Sequence, residues 1–454
     1  MERYHTFFRG KRITLMGLGL LGRGVGDAKF LAECGAQLIV TDLKAADELE
    51  SSLEQLRPFP NIVLRLGRHV PEDFQDRDLI IKAAGVPLNS PYIEEAKKNN
   101  ISVRMSSDLF VELAGIPTIG ITGTRGKSTV THLLAHILNL SARQAGNVGM
   151  NVLVGGNVRG VSSLALLPQV TPESVAVLEL DSWQLQGFGE HGLSPNIAVF
   201  TTFLPDHMNY YRKAATSDDE AIRLYFADKA NIFLNQDESD VCILGEQVAP
   251  FIKEYGYQQK IRSQVTVASA KNLPKGVTLK ILGEHNRYNA GLAATAALAF
   301  GVDKEDIKAG LESFTGLPGR LEFLREVHGV KIYNDNNSTT PDATIAALRA
   351  FGEQKNVVLI MGGADKGLDM SALVEEIPKH CKKVILLAGT GTDRILDQLP
   401  ESSTVGRLSE AVTEAVKAAT PGDTILFSPA FASFGLFTNE YDRNDQFVGL
   451  VGKI

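Results

Sequence analysis

The residues with the plainest chemical meaning lie between Pro117 and His136, in the stretch PTIGITGTRGKSTVTHLLAH. Thr118 to Thr122 has the apolar, β-branched character of a buried strand. Gly123 to Gly126 is a glycine turn, and from Ser128 the spacing of Val130, Leu133, Leu134 and Ile137 predicts a helix. Strand, glycine turn, Gly-Lys-Ser and helix together form a phosphate cradle. The amides of Gly123, Thr124, Arg125 and Gly126 can approach phosphate oxygens, Lys127 can reach the terminal phosphates, and Ser128, followed by Thr129, offers a hydroxyl to Mg²⁺. Five residues separate Gly120 from Gly126 and two separate Gly123 from Gly126, where the usual loop has about four before its Gly-Lys pair. The competing reading is a tight strand-to-helix turn with an exposed lysine. A second buried strand, Ser174 to Leu180, carries Glu179 at its C-terminal end. An unpaired buried carboxylate is expensive, and ligands bind at that edge of a parallel sheet, so a cation there would account for it. A third strand, Asn196 to Thr202, runs into Asp206 and His207. A lone histidine at a strand end is more often a hydrogen-bonded surface residue than a ligand.

Elements that could position these groups run the length of the chain. Strand Arg12 to Met16, the turn Gly17-Leu-Gly-Leu-Leu-Gly22, a helix to about Cys34 and a strand from Gln37 ending at Asp42 make a dinucleotide-type fingerprint. A nicotinamide-dependent dehydrogenase, another nucleotide diphosphate or a purely structural turn would each account for it. Strands are expected at Ile62 to Leu66, Asp78 to Ala84 and Ser102 to Met105, closing a first domain near residue 110. With 454 residues, two or three domains are expected. A net charge of −7 without a basic patch argues against nucleic acid or an acidic membrane surface as partner. The N-terminus lacks an apolar signal segment and no stretch is long enough to span a membrane, so a cytoplasmic location is expected. Cys34, Cys242 and Cys381 are widely spaced in or beside apolar segments, as reduced core thiols would be.

The loop variant TGTRGKST resembles the ATP loop of the Mur ligases, ATP-dependent amide-forming enzymes of peptidoglycan synthesis. Further motifs resemble the same family in order: LELDSWQL from Leu178, DHMN from Asp206, the helix around Lys229, GEHNRYN from Gly283, FTGLPGR ending at Arg320, NDNNSTTP from Asn334, MGGADK ending at Lys366 and SPAFAS ending at Ser433. The resemblance covers about residues 12 to 447. It implies an α/β protein of three domains: a Rossmann-like UDP-sugar domain over 1–110, a central P-loop ATPase-like domain with a mostly parallel sheet over 111–317, and a Rossmann-like amino-acid domain over 318–454. A P-loop switch protein would leave Glu179, His207 and the last domain without a role. Folylpolyglutamate synthetase shares the loop but lacks the first domain.

The site roles follow from the resemblance. Lys127, Glu179, His207 and Lys229 would be catalytic, with Ser128, Glu179, His207 and Lys229 holding Mg²⁺, or Mn²⁺, at two positions. The residues alone make Lys229 an exposed helix residue; the family's lysine at this place is carbamylated and becomes an anionic oxygen ligand. Asn286, Asn289, Arg320 and Asp335 join the loop from Gly123 to Thr129 in holding ATP. Leu20, Leu21, Asp42, Asn147 and Gln184 would hold the UDP-sugar, and Lys366, Ser433 and Phe434 the incoming amino acid. The match is best with the glutamate-adding branch, acting as a monomer on UDP-N-acetylmuramoyl-L-alanine and glutamate. Asn337 and Glu440 depart from that branch beside the amino-acid pocket.

Overall fold

The computed structural model describes residues 2–20, 22–144 and 150–454, which form three β-sheets. The first has the order β3-β2-β1-β4-β5, from β1 (Arg12–Met16), β2 (Gln37–Asp42), β3 (Val63–Leu66), β4 (Leu79–Lys82) and β5 (Val103–Arg104), all parallel. The second has the order β11-β10-β9-β6-β8-β7, also all parallel, from β6 (Thr118–Thr122), β7 (Asn151–Gly156), β8 (Ser174–Glu179), β9 (Ile197–Phe200), β10 (Val241–Gly245) and β11 (Gln264–Ala268). The third runs β12-β13-β17-β14-β15-β16, from β12 (Glu322–Val327), β13 (Val330–Asn334), β14 (Val357–Gly362), β15 (Cys381–Leu387), β16 (Ser403–Val405) and β17 (Thr424–Phe427). This sheet is mixed: β12 folds back antiparallel on β13 as an edge hairpin, and the other pairs are parallel. The sequence reading did not foresee that hairpin.

The chain packs as two compact units, Met1–Gly276 with Asn289–Leu311, and Val277–Tyr288 with Glu312–Ile454. The first contains two sheets sharing a continuous apolar core, in which Leu15, Val40, Leu109, Leu178, Phe188 and Phe226 are all buried. In the second unit, separate apolar clusters around Leu359 and Ile360 contain residues of alternating register from the same strand, as expected when parallel strands are covered on both faces. Every residue of β6, β8 and β14 is buried, which explains their continuous apolar composition. The expected strand at Asn196 to Thr202 ends earlier, at Phe200, because Thr201 and Thr202 turn their hydroxyls onto the phosphate loop. Cys34 and Cys242 are buried free thiols, and Cys381 is a partly buried one. Among the described residues no helix is long and apolar enough to cross a membrane.

Candidate active site

The glycine turn is held in shape by the chain that follows β9. Thr124 N–H donates to the Thr202 carbonyl at 2.7 Å, Arg125 N–H to Thr202 Oγ1 at 2.8 Å, and Thr201 Oγ1 to the Arg125 carbonyl at 2.5 Å. Gly123 has φ 144°, and a Cβ there would fall on Thr201 Oγ1 and the Thr202 backbone, so only glycine fits. The helix Lys127–Gln144 then begins, placing Lys127, Ser128 and the buried Thr129 in its first turn. Lys127 folds back over its own loop, donating to the Gly123 carbonyl at 3.0 Å and the Thr124 carbonyl at 3.3 Å. Arg125 pairs with Asp206 at 2.9 Å. Asn289, buried in the helix Glu284–Phe300, lies so close that its side chain would meet a Cβ on Gly126. Asn286 is buried too, and its Nδ2 donates to the Leu282 carbonyl at 2.8 Å.

Lys229 is not exposed: it is 1% accessible, on the helix Asp218–Leu234. Its Nζ donates to the Gly123 carbonyl at 2.9 Å and lies 4.8 Å above the Tyr225 ring. Two lysines therefore meet at one carbonyl oxygen. Burial holds the Lys229 amine well below the ordinary lysine pKa, and the neighbouring Lys127 charge pushes the same way. Burial lowers Lys127 as well, with Glu179 opposing. The sequence carried the signal: Tyr225, Phe226, Ala230 and Phe233 put Lys229 on the buried stripe of its helix.

Glu179 ends β8 in a buried position, as expected. His207, beyond β9, has φ 58°, a conformation in which Asp206 Oδ1 accepts its N–H at 2.9 Å. Its ring lies 4.8 Å from that of Trp183, tilted by 51°, and desolvation lowers its pKa against the opposing charge of Asp206. Asp181 caps the helix Ser182–Glu190 by accepting the Gln184 N–H at 2.8 Å, while Gln184 Oε1 accepts the Asp181 N–H at 3.2 Å. The acid at position 181 is thereby explained as a cap. Among the described residues no three His, Cys, Asp or Glu side chains converge as a metal cage.

Beside Glu179, a cavity of about 260 Å³ opens at the C-terminal edge of the first sheet. Leu20, Arg23, Asp42, Lys82 and Gln184 are in its wall. Leu20 is exposed, and Asp42 accepts the Gly19 N–H at 3.0 Å and the Lys44 N–H at 2.9 Å, so the acid of the fingerprint braces its glycine turn. Leu21 and Asn147 lie outside the described residues. Among the described residues an asparagine stands beside Glu179. Asn157, after the Gly155-Gly156 end of β7, donates its N–H to the Glu179 carbonyl at 2.7 Å and Nδ2 to Glu179 Oε1 at 3.4 Å. Its signal in the sequence is Gly-Gly-Asn at a strand end.

In the second unit, Ala364 and Ala432 exchange backbone hydrogen bonds, bringing the loops of Lys366 and Ser433 to one sheet edge. Lys366 is exposed with Nζ 3.0 Å from Thr339 Oγ1, Ser433 is buried, and Phe434 is 66% exposed. Arg320 is exposed. Asp335 is buried and accepts from Leu321 N–H, Ser338 Oγ and Ser428 Oγ; burial pushes its carboxyl up to about 6 against those bonds. Glu440 opens the helix Glu440–Val451 behind the cap Asn439, where an acid favours the helix dipole. Arg443 is fully buried on Asn336 and the Phe431 carbonyl. Asn337 donates Nδ2 to the Pro318 carbonyl at 3.3 Å.

Three family models match the chain: the Mur ligase MurD-like N-terminal domain over residues 11–105, the Mur ligase middle domain over 121–298, and the Mur ligase glutamate ligase domain over 319–431. The UDP-N-acetylmuramoylalanine–D-glutamate ligase of Roseiflexus sp. (strain RS-1) is 35% identical, covering 97% of this chain and 98% of that protein. The protein of the same name from Borreliella afzelii (strain PKo) is 35% identical over 96% of each. Among solved structures, the UDP-N-acetylmuramate-alanine ligase MurC of Thermotoga maritima superposes with a TM-score of 0.60 at 18% identity, covering 98% of this chain and 99% of that one. The MurF ligase of the same organism in complex with ADP gives 0.56 at 16% identity, covering 91% and 94%. These two show the shared three-domain α/β fold. A phosphate loop braced by the strand beside it, a buried lysine on that loop's carbonyl, and matches along nearly the whole chain agree: the chain belongs to the Mur ligase family of ATP-dependent ligases.

Proposed function

We propose that the protein joins D-glutamate to UDP-N-acetylmuramoyl-L-alanine with ATP, releasing ADP and phosphate, in the cytoplasm and as a monomer. The observation that carries the chemistry is the meeting of Lys127 and buried Lys229 at the Gly123 carbonyl, beside the buried Glu179. The names of the relatives, matched over nearly the whole length, support the substrates. The loop amides and Lys127 hold the terminal phosphates of ATP, and Asn289 lies against the same loop. The cavity beside Glu179 receives the UDP-sugar, whose alanyl carboxylate attacks the γ-phosphorus and displaces ADP. The resulting acyl phosphate is a good electrophile. The neutral amine of glutamate, oriented by Lys366 and Ser433, attacks its carbonyl carbon; phosphate leaves with the bonding pair, and the amine gives up a proton. Lys127 remains to neutralise the charge that builds on the transferred phosphoryl group.

The donor set fits Mg²⁺ or Mn²⁺ under one condition. Glu179 and Ser128 offer the hard oxygens these ions prefer, and His207 an imidazole, but an ammonium at Lys229 would repel a cation. Burial favours loss of the Lys229 proton, and the amine so formed can add CO₂, losing one further proton and becoming a carbamate with oxygen donors. Ser128 and Glu179 would then hold one ion, and His207 and carbamylated Lys229 the other; bound there, they would neutralise phosphate charge and polarise the phosphoryl group. The two departures near the amino-acid site are compatible with glutamate, since Glu440 is accounted for by its helix terminus. The test is ADP release with UDP-N-acetylmuramoyl-L-alanine and D-glutamate, L-glutamate, lysine or diaminopimelate at equal concentration. D-Glutamate should be preferred, and turnover with a diamino acid alone would overturn the substrate assignment.

A further inference from the structure

We propose that Arg23 is a positioning residue for Glu179: it fixes the side-chain amide of Asn157, which in turn orients the carboxylate. Arg23 is the first residue of the helix Arg23–Glu33, directly after the glycine turn of the first sheet, and it lines the sugar-nucleotide cavity. Its Nη1 donates to Asn157 Oδ1 at 2.5 Å. The other end of that amide, Nδ2, donates to Glu179 Oε1 at 3.4 Å. A guanidinium carries only donors and a carboxylate only acceptors, so the amide between them has one favourable orientation. Turned over, it would set its oxygen against the carboxylate and its NH₂ against the guanidinium, unfavourable at both ends.

The backbone makes this connection stiff. Asn157 N–H is held by the Glu179 carbonyl at 2.7 Å, and Gly156 before it has φ 83° with no room for a Cβ against that same carbonyl. The asparagine therefore cannot follow Arg23 away from the carboxylate, and only its side chain can respond. The helix of Arg23 is fastened to the same segment a turn later, where Ser162 Oγ donates to Asp27 Oδ1 at 2.5 Å and Ser106 Oγ to the same oxygen at 2.7 Å. A residue of the first sheet's domain thus reaches, through one amide, the carboxylate proposed to serve ATP.

This inference rests on the ligase reading and has its own test. Binding of Mn²⁺ with a non-hydrolysable ATP analogue is measured calorimetrically on the full chain, with no sugar nucleotide present, for wild type, Arg23→Met, Arg23→Lys, Asn157→Ala and the Arg23→Met/Asn157→Ala double variant. Losing a group hydrogen-bonded to a metal-ligating carboxylate costs about 10–100-fold in metal affinity. Arg23 acts one bond further out, so Arg23→Met should weaken Mn²⁺–nucleotide binding by about three- to tenfold. Arg23→Lys, which can still donate to Oδ1, should recover most of that. In the Asn157→Ala background the Arg23→Met effect should vanish. If Arg23→Met is not recovered folded, Arg23→Gln replaces it with the same expectation, since its amide is too short to reach Asn157. Unchanged Mn²⁺–nucleotide binding with a raised KM for the UDP-sugar would overturn the proposal, leaving Arg23 as a direct substrate contact. So would an Arg23→Met effect that persists without Asn157. Failure of the wild type to bind Mn²⁺ and nucleotide would instead overturn the ligase reading itself.

Discussion

Replacing Lys229 by methionine should abolish ligation and at the same time stabilise the fold. Methionine matches the length of the lysine stem and would take the place of a side chain that is fully buried and lies over the Tyr225 ring. Removing a buried lysine relieves a desolvation cost of several kcal/mol per ion, and exchanging buried charges for apolar groups of similar volume is commonly stabilising by about 1–4 kcal/mol. Against this stand two lost hydrogen bonds, one to the Gly123 carbonyl worth about 1 kcal/mol and a long one of 3.5 Å to Thr122 Oγ1 worth less. The carbonyl is not orphaned, because Lys127 Nζ also donates to it at 3.0 Å. A net gain of about 1–3 kcal/mol is expected, or roughly 1.5–2 °C per kcal/mol for a unit of about 300 residues. The sign with pH follows from the depressed amine. From its folded-state pKa up to the unfolded value of about 10.4, the unfolded chain binds more protons, so wild-type stability rises with pH. The advantage of Lys229→Met should therefore narrow above neutrality, by at most about 1.4 kcal/mol per pH unit. Calorimetric unfolding in CO₂-free buffer at pH 7 and pH 9, beside an ADP-release assay, measures both effects. A variant that melts below wild type at pH 7, or retains a tenth of its activity, would refute the reasoning.

Lys127→Ala should abolish ADP release while leaving UDP-sugar affinity within about threefold, since the lysine bends over the phosphate loop and is not in the wall of the cavity beside Glu179; equal loss of both affinities would contradict this. Trp183 is the only tryptophan and its ring lies 4.8 Å from that of His207, so its fluorescence should be quenched as the imidazole protonates, with a midpoint below the ordinary value of about 6.5. A flat profile in wild type, or an unchanged one in His207→Phe, would count against that contact. Burial pushes the Asp27 carboxyl up to about 6, above its unfolded value of about 3.9, so its contribution is complete only well below pH 4 and is lost as pH rises from there through 6. Asp27→Asn should then gain about 2–3 kcal/mol relative to wild type between about pH 3 and pH 7, read from urea midpoints.

Features legible in the sequence were those that local chemistry determines. The strand, glycine turn and helix around Lys127 are one contiguous segment, and the fingerprint glycines with Asp42 form a hydrogen-bonded unit closed by Gly19. Strand centres came through because fully buried parallel strands need uninterrupted apolar runs. Other features depended on pairing across the chain. Asn157 reaches Glu179 only because β7 lies beside β8 with Gly156 opposite Glu179, and nothing in the local sequence specifies that register. The burial of Lys229 was present as a helical stripe and was overridden by the usual exposure of lysine. Glu440 stood out as a departure beside a candidate site, yet the helix end it occupies accounts for it.

The two glycines that crowd the site also restrict how it can change. At Gly156 an added carbon would strike the Glu179 carbonyl, and at Gly123 it would strike Thr201 and Thr202. No single amino-acid replacement can place a side chain there without displacing backbone that supports the lysines and the carboxylate. An inhibitor resting on the main-chain atoms of these two residues would meet a surface closed to ordinary point-mutation escape. One gripping Leu20 or Phe434, whose exposed side chains are free to vary, would not.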